Sequence, residues 1–198
     1  MPRLADVFAL ARRSGNDAVR FNIETKISPL HPARTVSPGE FARAFIRLIR
    51  KEKMERRVTI QSFDWRTLKV VQHEAPEITT AYLTAQQGFM DNIQAAKQES
   101  PWTAGLHVNE FGGSIPRMVK AAGGAVWSPY YAETTREQVR EAQSLGLKVV
   151  VWTVNEPADM RRMIEWRVDG IISDYPDLLR KVAGEWGIVL PLATPVGP

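Results

Sequence analysis

The chain has 198 residues, 44% of them hydrophobic, enough to build one sizeable core, and it carries a formal charge of +4 with a pI near 9.5. It has no cysteine, which excludes disulfide scaffolds, cysteine zinc sites and thiol catalysis. The densest basic stretch, Arg47 to Arg57, is broken by Glu52 and Glu55 and reads as the polar face of a helix and its end, so nucleic acid is not an expected partner; no apolar run approaches the ~20 residues a membrane span needs.

In chain order, Leu4, Val7, Phe8 and Ala11 share one face of an amphipathic opening helix that Gly15 ends. Arg20 to Ile27 has apolar residues at Phe21, Ile23 and Ile27 with a period near two, and is expected to be a strand. On it Glu24 and Lys26 share a face, roughly 7 Å apart by the strand rise. Such a pair is either a solvated ion pair or a metal ligand beside a phosphate clamp. A Pro-rich loop, Ser28 to Val36, then carries His31. Ser37-Pro38-Gly39-Glu40 is a capping box with Pro at the first helical position, opening a helix with the apolar stripe Phe41, Phe45, Leu48 and Ile49. Val58 to Phe63 is the second strand, Asp64 caps a helix carrying Leu68, Val70 and Val71, and Ile78 to Leu83 is the third strand.

Thr84 to Gly113 lacks periodicity and is far longer than the ~2–6 residues usual between α/β elements, as lids and binding loops are. It holds Asp91, Trp102, His107, Asn109 and Phe111. His31 and His107 are candidates for a substitute general acid or base, or for loop histidines without chemistry. Trp102 and Phe111 suit a substrate lid or a satellite core. Ser114 and Pro116 start a short helix ending at Gly123-Gly124, and Ala125 to Ser128 is the fourth strand. Thr134 to Glu137 reads as another capping box, with a helix closing at Leu145-Gly146. Lys148 to Val154 is a nearly continuous apolar fifth strand, as expected of a parallel strand buried on both sides. Asn155 is expected to cap the next helix, Gly170 to Ser173 is the sixth strand, and Pro176 to Trp186 is the closing helix. The expected division is one domain over 1–187 and a loose Pro-rich tail over 188–198.

Unbroken alternation of strand and helix implies an α/β chain with parallel strands and right-handed crossovers. No G-x-G-x-x-G follows any strand, which argues against a doubly wound dinucleotide fold. Polar and aromatic groups recur at strand ends instead: Glu24 and Lys26, Gln61 and Phe63, Trp152 and Asn155, and Asp174. Sites assembled from many strand ends are the habit of the (β/α)8 barrel.

Four segments in order, Phe21-Asn22-Ile23-Glu24-Thr25-Lys26, Gln61-Ser62-Phe63, Val151-Trp152-Thr153-Val154-Asn155 and Val168-Asp169-Gly170-Ile171-Ile172-Ser173-Asp174-Tyr175-Pro176, resemble glycerophosphodiester phosphodiesterases. The likeness runs from Pro2 to about Trp186. It implies a TIM barrel that hydrolyses glycerophosphodiesters to glycerol 3-phosphate and an alcohol, with Ca2+ or Mg2+ at the barrel mouth. By the family pattern Glu24 binds the metal, Lys26 lies beside the phosphate, and Trp152 lines the substrate pocket. Gln61 and Phe63 are candidates to touch substrate, or to pack at the strand end. The chemistry agrees: a hard dication takes carboxylate oxygens, and a metal with an ammonium stabilises charge that builds on a phosphodiester.

The family's early His-Arg pair, Glu-x-Asp pair and second His have no counterpart here, so no catalytic acid or base is assigned. Counting back from the Asp169–Asp174 strand as the eighth makes the Glu24 strand the third. The expectation is an incomplete TIM-type barrel of about six parallel strands, the third to the eighth, with little or no turnover from these residues alone. A start placed too late, a fragment and a degraded gene are the readings of that shortfall. Two alternatives stay open: a non-catalytic barrel remnant that binds a ligand or partner chain, and a lysophospholipase D-like hydrolase on the same barrel. Open barrel edges are expected to invite self-association. The compartment is undetermined: cytoplasmic as the chain stands, periplasmic or secreted if an upstream segment carries a signal peptide.

Overall fold

Helices with one apolar stripe and strands with alternating faces bury their apolar sides against each other, and the chain meets that demand with a sheet covered by helices. A computed structural model of the chain describes residues 2–194. The elements are α1 (Leu4–Arg13), β1 (Phe21–Glu24), α2 (Pro38–Lys51), β2 (Val58–Ser62), α3 (Trp65–Glu74), β3 (Thr79–Thr84), β4 (Gln86–Gln87), β5 (Met90–Asp91), α4 (Ile115–Ala121), β6 (Val126–Pro129), α5 (Arg136–Ser144), β7 (Lys148–Val151), α6 (Pro157–Glu165), β8 (Gly170–Ile171) and α7 (Pro176–Glu185). Short 3-10 turns lie at Pro32–Arg34, Val108–Phe111 and Tyr131–Glu133.

Six strands pair in the order β1-β2-β3-β6-β7-β8, all parallel, and curl into a half-barrel. Each strand adds beside the one before it. That is how a barrel winds; a doubly wound sheet reverses its order at a switch point. The incomplete (β/α)8-type architecture expected from the sequence is what the chain adopts.

The core lies between the sheet and the helices, with Ile46, Ile49, Ile60, Trp65, Leu68, Trp127, Met160 and Met163 buried in it. Side-chain alternation then decides which residues face the hollow side. Phe21 meets Phe8 of α1 edge to face at 5.0 Å, so Phe21 and Ile23 face the helices and Asn22 and Glu24 face the hollow. Tyr82 meets Trp65 of α3 at 4.8 Å, which turns Ala81 and Leu83 the same way as Glu24.

Several local expectations shift. α2 buries Ala42, Ile46 and Ile49, while Phe41 and Phe45 stack on each other at 5.1 Å, half-buried. The expected stripe through Phe41, Phe45, Leu48 and Ile49 was rotated toward the bulky rings and overlooked Ala42 and Ile46, which with Ile49 form the buried face. The second capping box is Thr135 with Gln138, one residue later than expected, because the Thr134 hydroxyl donates to the Tyr130 carbonyl at 2.9 Å and closes the preceding turn. β7 and β8 stop at Val151 and Ile171; beyond them a Tyr130–Trp152 bridge extends the β6–β7 pairing, and the Ile172 and Val154 N–H groups donate to the Val151 and Ile172 carbonyls at 2.8 and 2.9 Å. The long Thr84–Gly113 segment is ordered, with the β4–β5 hairpin at its start and a 3-10 turn near its end. Of the Pro-rich tail, residues 188–194 have no regular structure, and 195–198 lie outside the described residues, as does Met1. Among the described residues no helix is long and apolar enough to cross a membrane.

Candidate active site

The strands run parallel, so their C-terminal ends gather at one end of the sheet, and there a cavity of about 990 Å³ opens. The end of β1 delivers Glu24 to the cavity wall, and the segment just after it delivers Lys26. Lys26 Nζ lies 2.8 Å from Glu24 Oε1, with the lysine side chain 79% exposed and the glutamate 22%. A pair so open to water contributes little to stability, so Lys26 exchanges Glu24 for another anion at small cost.

Glu24 stands opposite Gln61 in the β1–β2 register, and Gln61 Oε1 accepts from Asn22 Nδ2 at 2.6 Å. Gln61 is 9% exposed and does not line the cavity. It ties β1 to β2 beneath Glu24. Phe63 does line the cavity, and its ring meets Trp152 edge to face at 5.4 Å. Trp152 is not itself in the lining; it backs Phe63, held by its Nε1 donating to the Ser128 carbonyl at 2.8 Å. Glu24, Lys26 and Trp152 thus sit at the same strand ends, with the indole one ring removed from the charged pair.

The aromatic series continues. Trp152 meets Tyr130 at 5.3 Å, and Tyr130 meets Phe89, in the β4–β5 turn, at 5.3 Å. Glu133 docks that hairpin: its carboxylate accepts from the Gln86 N–H at 3.0 Å and from Gln87 Nε2 at 2.8 Å. Buried Asn92 fastens the other side, donating to the Phe63 and Leu83 carbonyls at 3.2 and 2.9 Å and accepting from the Ala85 N–H at 3.0 Å. Sequence reasoning missed Asn92, Tyr130 and Phe89. A loop asparagine carries no signal of burial, and Tyr130 gave only its place after a strand.

The remaining candidates divide. His31 is exposed on the cavity rim. His107 is 8% exposed and outside the lining; its Nδ1 accepts from the Asn109 N–H at 3.3 Å and starts a 3-10 turn. Trp102 is both wall and satellite core: it is buried, lines the cavity, and its carbonyl accepts from the Trp65 N–H at 2.8 Å. Asn155 does not cap α6, whose N-cap is Glu156. It donates to Asp174 at 2.9 Å and accepts from the Asp174 N–H at 3.0 Å, joining the loops after β7 and β8.

The lining holds two carboxylates, Glu24 and Asp91, and two permanent cations, Lys26 and Arg34, so it carries no net charge with His31 neutral. Among the described residues no group of three His, Asp or Glu side chains could hold a metal ion. A hard divalent cation takes at least six oxygen ligands in Ca2+ sites and near-octahedral geometry in Mg2+ sites. The donors present here do not fit such an ion by themselves.

Comparison with known proteins follows the same line. The Glycerophosphoryl diester phosphodiesterase family model matches residues 1–178. A glycerophosphodiester phosphodiesterase of Bacillus subtilis (strain 168) is 31% identical over 136 residues, which is 69% of this chain and 40% of that protein. One from Caldanaerobacter subterraneus subsp. tengcongensis is 28% identical over 187 residues, 94% of this chain and 63% of that protein. A crystal structure from Silicibacter pomeroyi DSS-3, named as a candidate glycerophosphoryl diester phosphodiesterase, superimposes with a TM-score of 0.76 at 34% identity, covering 96% of this chain and 58% of that one. An Oleispira antarctica phosphodiesterase solved with the product sn-glycerol-3-phosphate shares the fold, with a TM-score of 0.60 at 16% identity over 83% of this chain and 55% of that one. The chain therefore spans 40% and 63% of the lengths of the two relatives. With the family model matched over most of its length, the chain belongs to the glycerophosphoryl diester phosphodiesterase family.

Proposed function

We propose that the strand-end cavity binds a glycerophosphodiester, with Glu24 and Lys26 flanking its phosphate, in a hydrolysis that yields glycerol 3-phosphate and an alcohol. The observation that supports this most is the Glu24–Lys26 pair, 2.8 Å apart on the wall of a cavity that Phe63 also lines. Family membership and the product named for the Oleispira enzyme support the substrate class.

In such a hydrolysis a water oxygen bonds to phosphorus, the bond to the alcohol oxygen breaks, and the alcohol leaves with a proton. Negative charge builds on the phosphoryl oxygens, and an ammonium beside them stabilises the transition state more than the ground state. Lys26 serves that role by leaving Glu24 for the phosphate. Phe63, backed by Trp152, presents an apolar wall to the glycerol carbons. Gln61 acts through Asn22, holding β1 in register. His31 is the one imidazole in the lining, and it is assigned no proton transfer.

Toward a divalent cation this chain offers Glu24, and no step is drawn through a metal. The same shortage favours a second reading, in which the 198 residues bind ligand and turn over little. The test is glycerophosphocholine hydrolysis with Ca2+ or Mg2+, beside Glu24→Ala, together with calorimetric binding of glycerol 3-phosphate. Turnover abolished by Glu24→Ala supports the hydrolase, and binding without turnover supports the second reading. Neither binding nor turnover contradicts both.

A further inference from the structure

A second cavity, of about 770 Å³, lies on the helical layer and shares no residue with the strand-end cavity. Three arginines and two tryptophans line it: Arg136 and Arg140 from α5, Trp166 and Arg167 after α6, and Trp186 after α7. Glu165 is the one carboxylate in the lining, and it stands 3.8 Å from Arg136. Among the described residues the guanidinium groups of Arg140 and Arg167 have no ion pair or hydrogen bond to the protein. Gln143 Nε2 donates to the Arg167 carbonyl at 2.8 Å and fixes the segment that carries it. Trp186 is 48% exposed, a large indole left facing solvent beside these cations.

We propose that this cavity binds a small aromatic phosphate of the mononucleotide class. Its volume lies in the range of small-molecule pockets. Guanidinium forks match phosphate oxygens bidentately, and the three terminal oxygens and double charge of a phosphate monoester suit two such forks at once. An exposed indole beside them offers a flat apolar surface on which a ring stacks. Phosphate pairing and ring stacking together set the ligand apart from inorganic phosphate and from a neutral nucleoside.

The test is isothermal titration of the full chain with AMP, adenosine and inorganic phosphate. AMP is expected to bind, and each of the other two to bind about tenfold more weakly: adenosine lacks the charged hydrogen bonds to the arginines, and inorganic phosphate lacks the ring that stacks on Trp186. The Arg140→Ala/Arg167→Ala double variant and Trp186→Ala are each expected to weaken AMP by about tenfold or more, while Lys26→Ala leaves it unchanged. Arg140→Gln alone repeats the test if the double variant misfolds. The proposal is overturned by AMP that fails to bind at millimolar concentration, by binding indifferent to the arginine variants, by phosphate or adenosine binding as tightly as AMP, or by binding lost with Lys26.

Discussion

Phe63, following β2, and Trp152, following β7, meet edge to face with ring centroids 5.4 Å apart, joining two strand ends that are not neighbours in the sheet. This contact crosses the hollow of the half-barrel and stiffens the wall on which the cavity rests. Edge-to-face aromatic pairs contribute about 0.5–1.5 kcal/mol beyond area burial. A double-mutant cycle of Phe63→Leu and Trp152→Leu, read by chemical denaturation, is expected to show coupling in that range. Additive losses would mean the rings touch without supporting each other.

Asp64 is fully buried and caps α3, its carboxylate accepting from the Arg66 N–H at 3.1 Å and from Arg66 Nε at 2.9 Å. Removing the carboxylate takes away a helix cap and leaves the part-buried Arg66 N–H without its partner, at a cost of about 1–2 kcal/mol. The ion pair adds little to that, because Arg66 is 41% exposed. Asp64→Ala is expected to lower the denaturation midpoint clearly, and Asp64→Asn, which keeps a capping oxygen, much less. Equal losses from both would point to charge as the cause.

Element order and strand direction were legible in the sequence because alternation, capping residues and Gly-Gly stops all gave the same answer. Ser37, Asp64 and Ser114 cap the helices as the spacing suggested. Contacts that join distant segments were not legible. Asn155 looked like a cap, since an asparagine before a Pro-containing first turn has that habit locally, and only the approach of the β8 loop gave it Asp174 as a partner. The meeting of Glu24 and Lys26 was legible from their spacing, although β1 ends at Glu24, short of the expected Ile27, and Lys26 lies in the segment that follows it. The placement of Trp152 behind Phe63 was not, because it depends on how far the sheet curls.

Gly124 shows how tight the α4–β6 junction is. A Cβ there would lie 2.7 Å from Val119 Cγ1 and 2.9 Å from the Val119 carbonyl oxygen. Gly124→Ala is expected to destabilise by about 1–3 kcal/mol, the usual cost of overpacking. A neutral effect on the denaturation midpoint would mean that α4 shifts freely.

Acid should loosen the helix starts. The Ser37 hydroxyl and N–H donate to Glu40 at 2.6 and 3.0 Å and hold its carboxyl below the ordinary range, and Arg3 does the same for Asp6. A carboxyl depressed in the folded state stabilises above its unfolded pKa, and that contribution is lost as pH falls through the folded value. Thermal stability is therefore expected to decline as pH drops below the ordinary Glu value of 4.5, with a shallower decline in Glu40→Gln. An unchanged slope in that variant would remove Glu40 from the cause.

The most direct test of the strand-end site is glycerol 3-phosphate binding to the chain and to Lys26→Ala, measured by calorimetry. If the ammonium meets the phosphate, Lys26→Ala weakens binding by about tenfold or more, as expected for losing one charged hydrogen bond. Equal affinity in the two proteins would contradict the placement of phosphate beside Lys26 and Glu24.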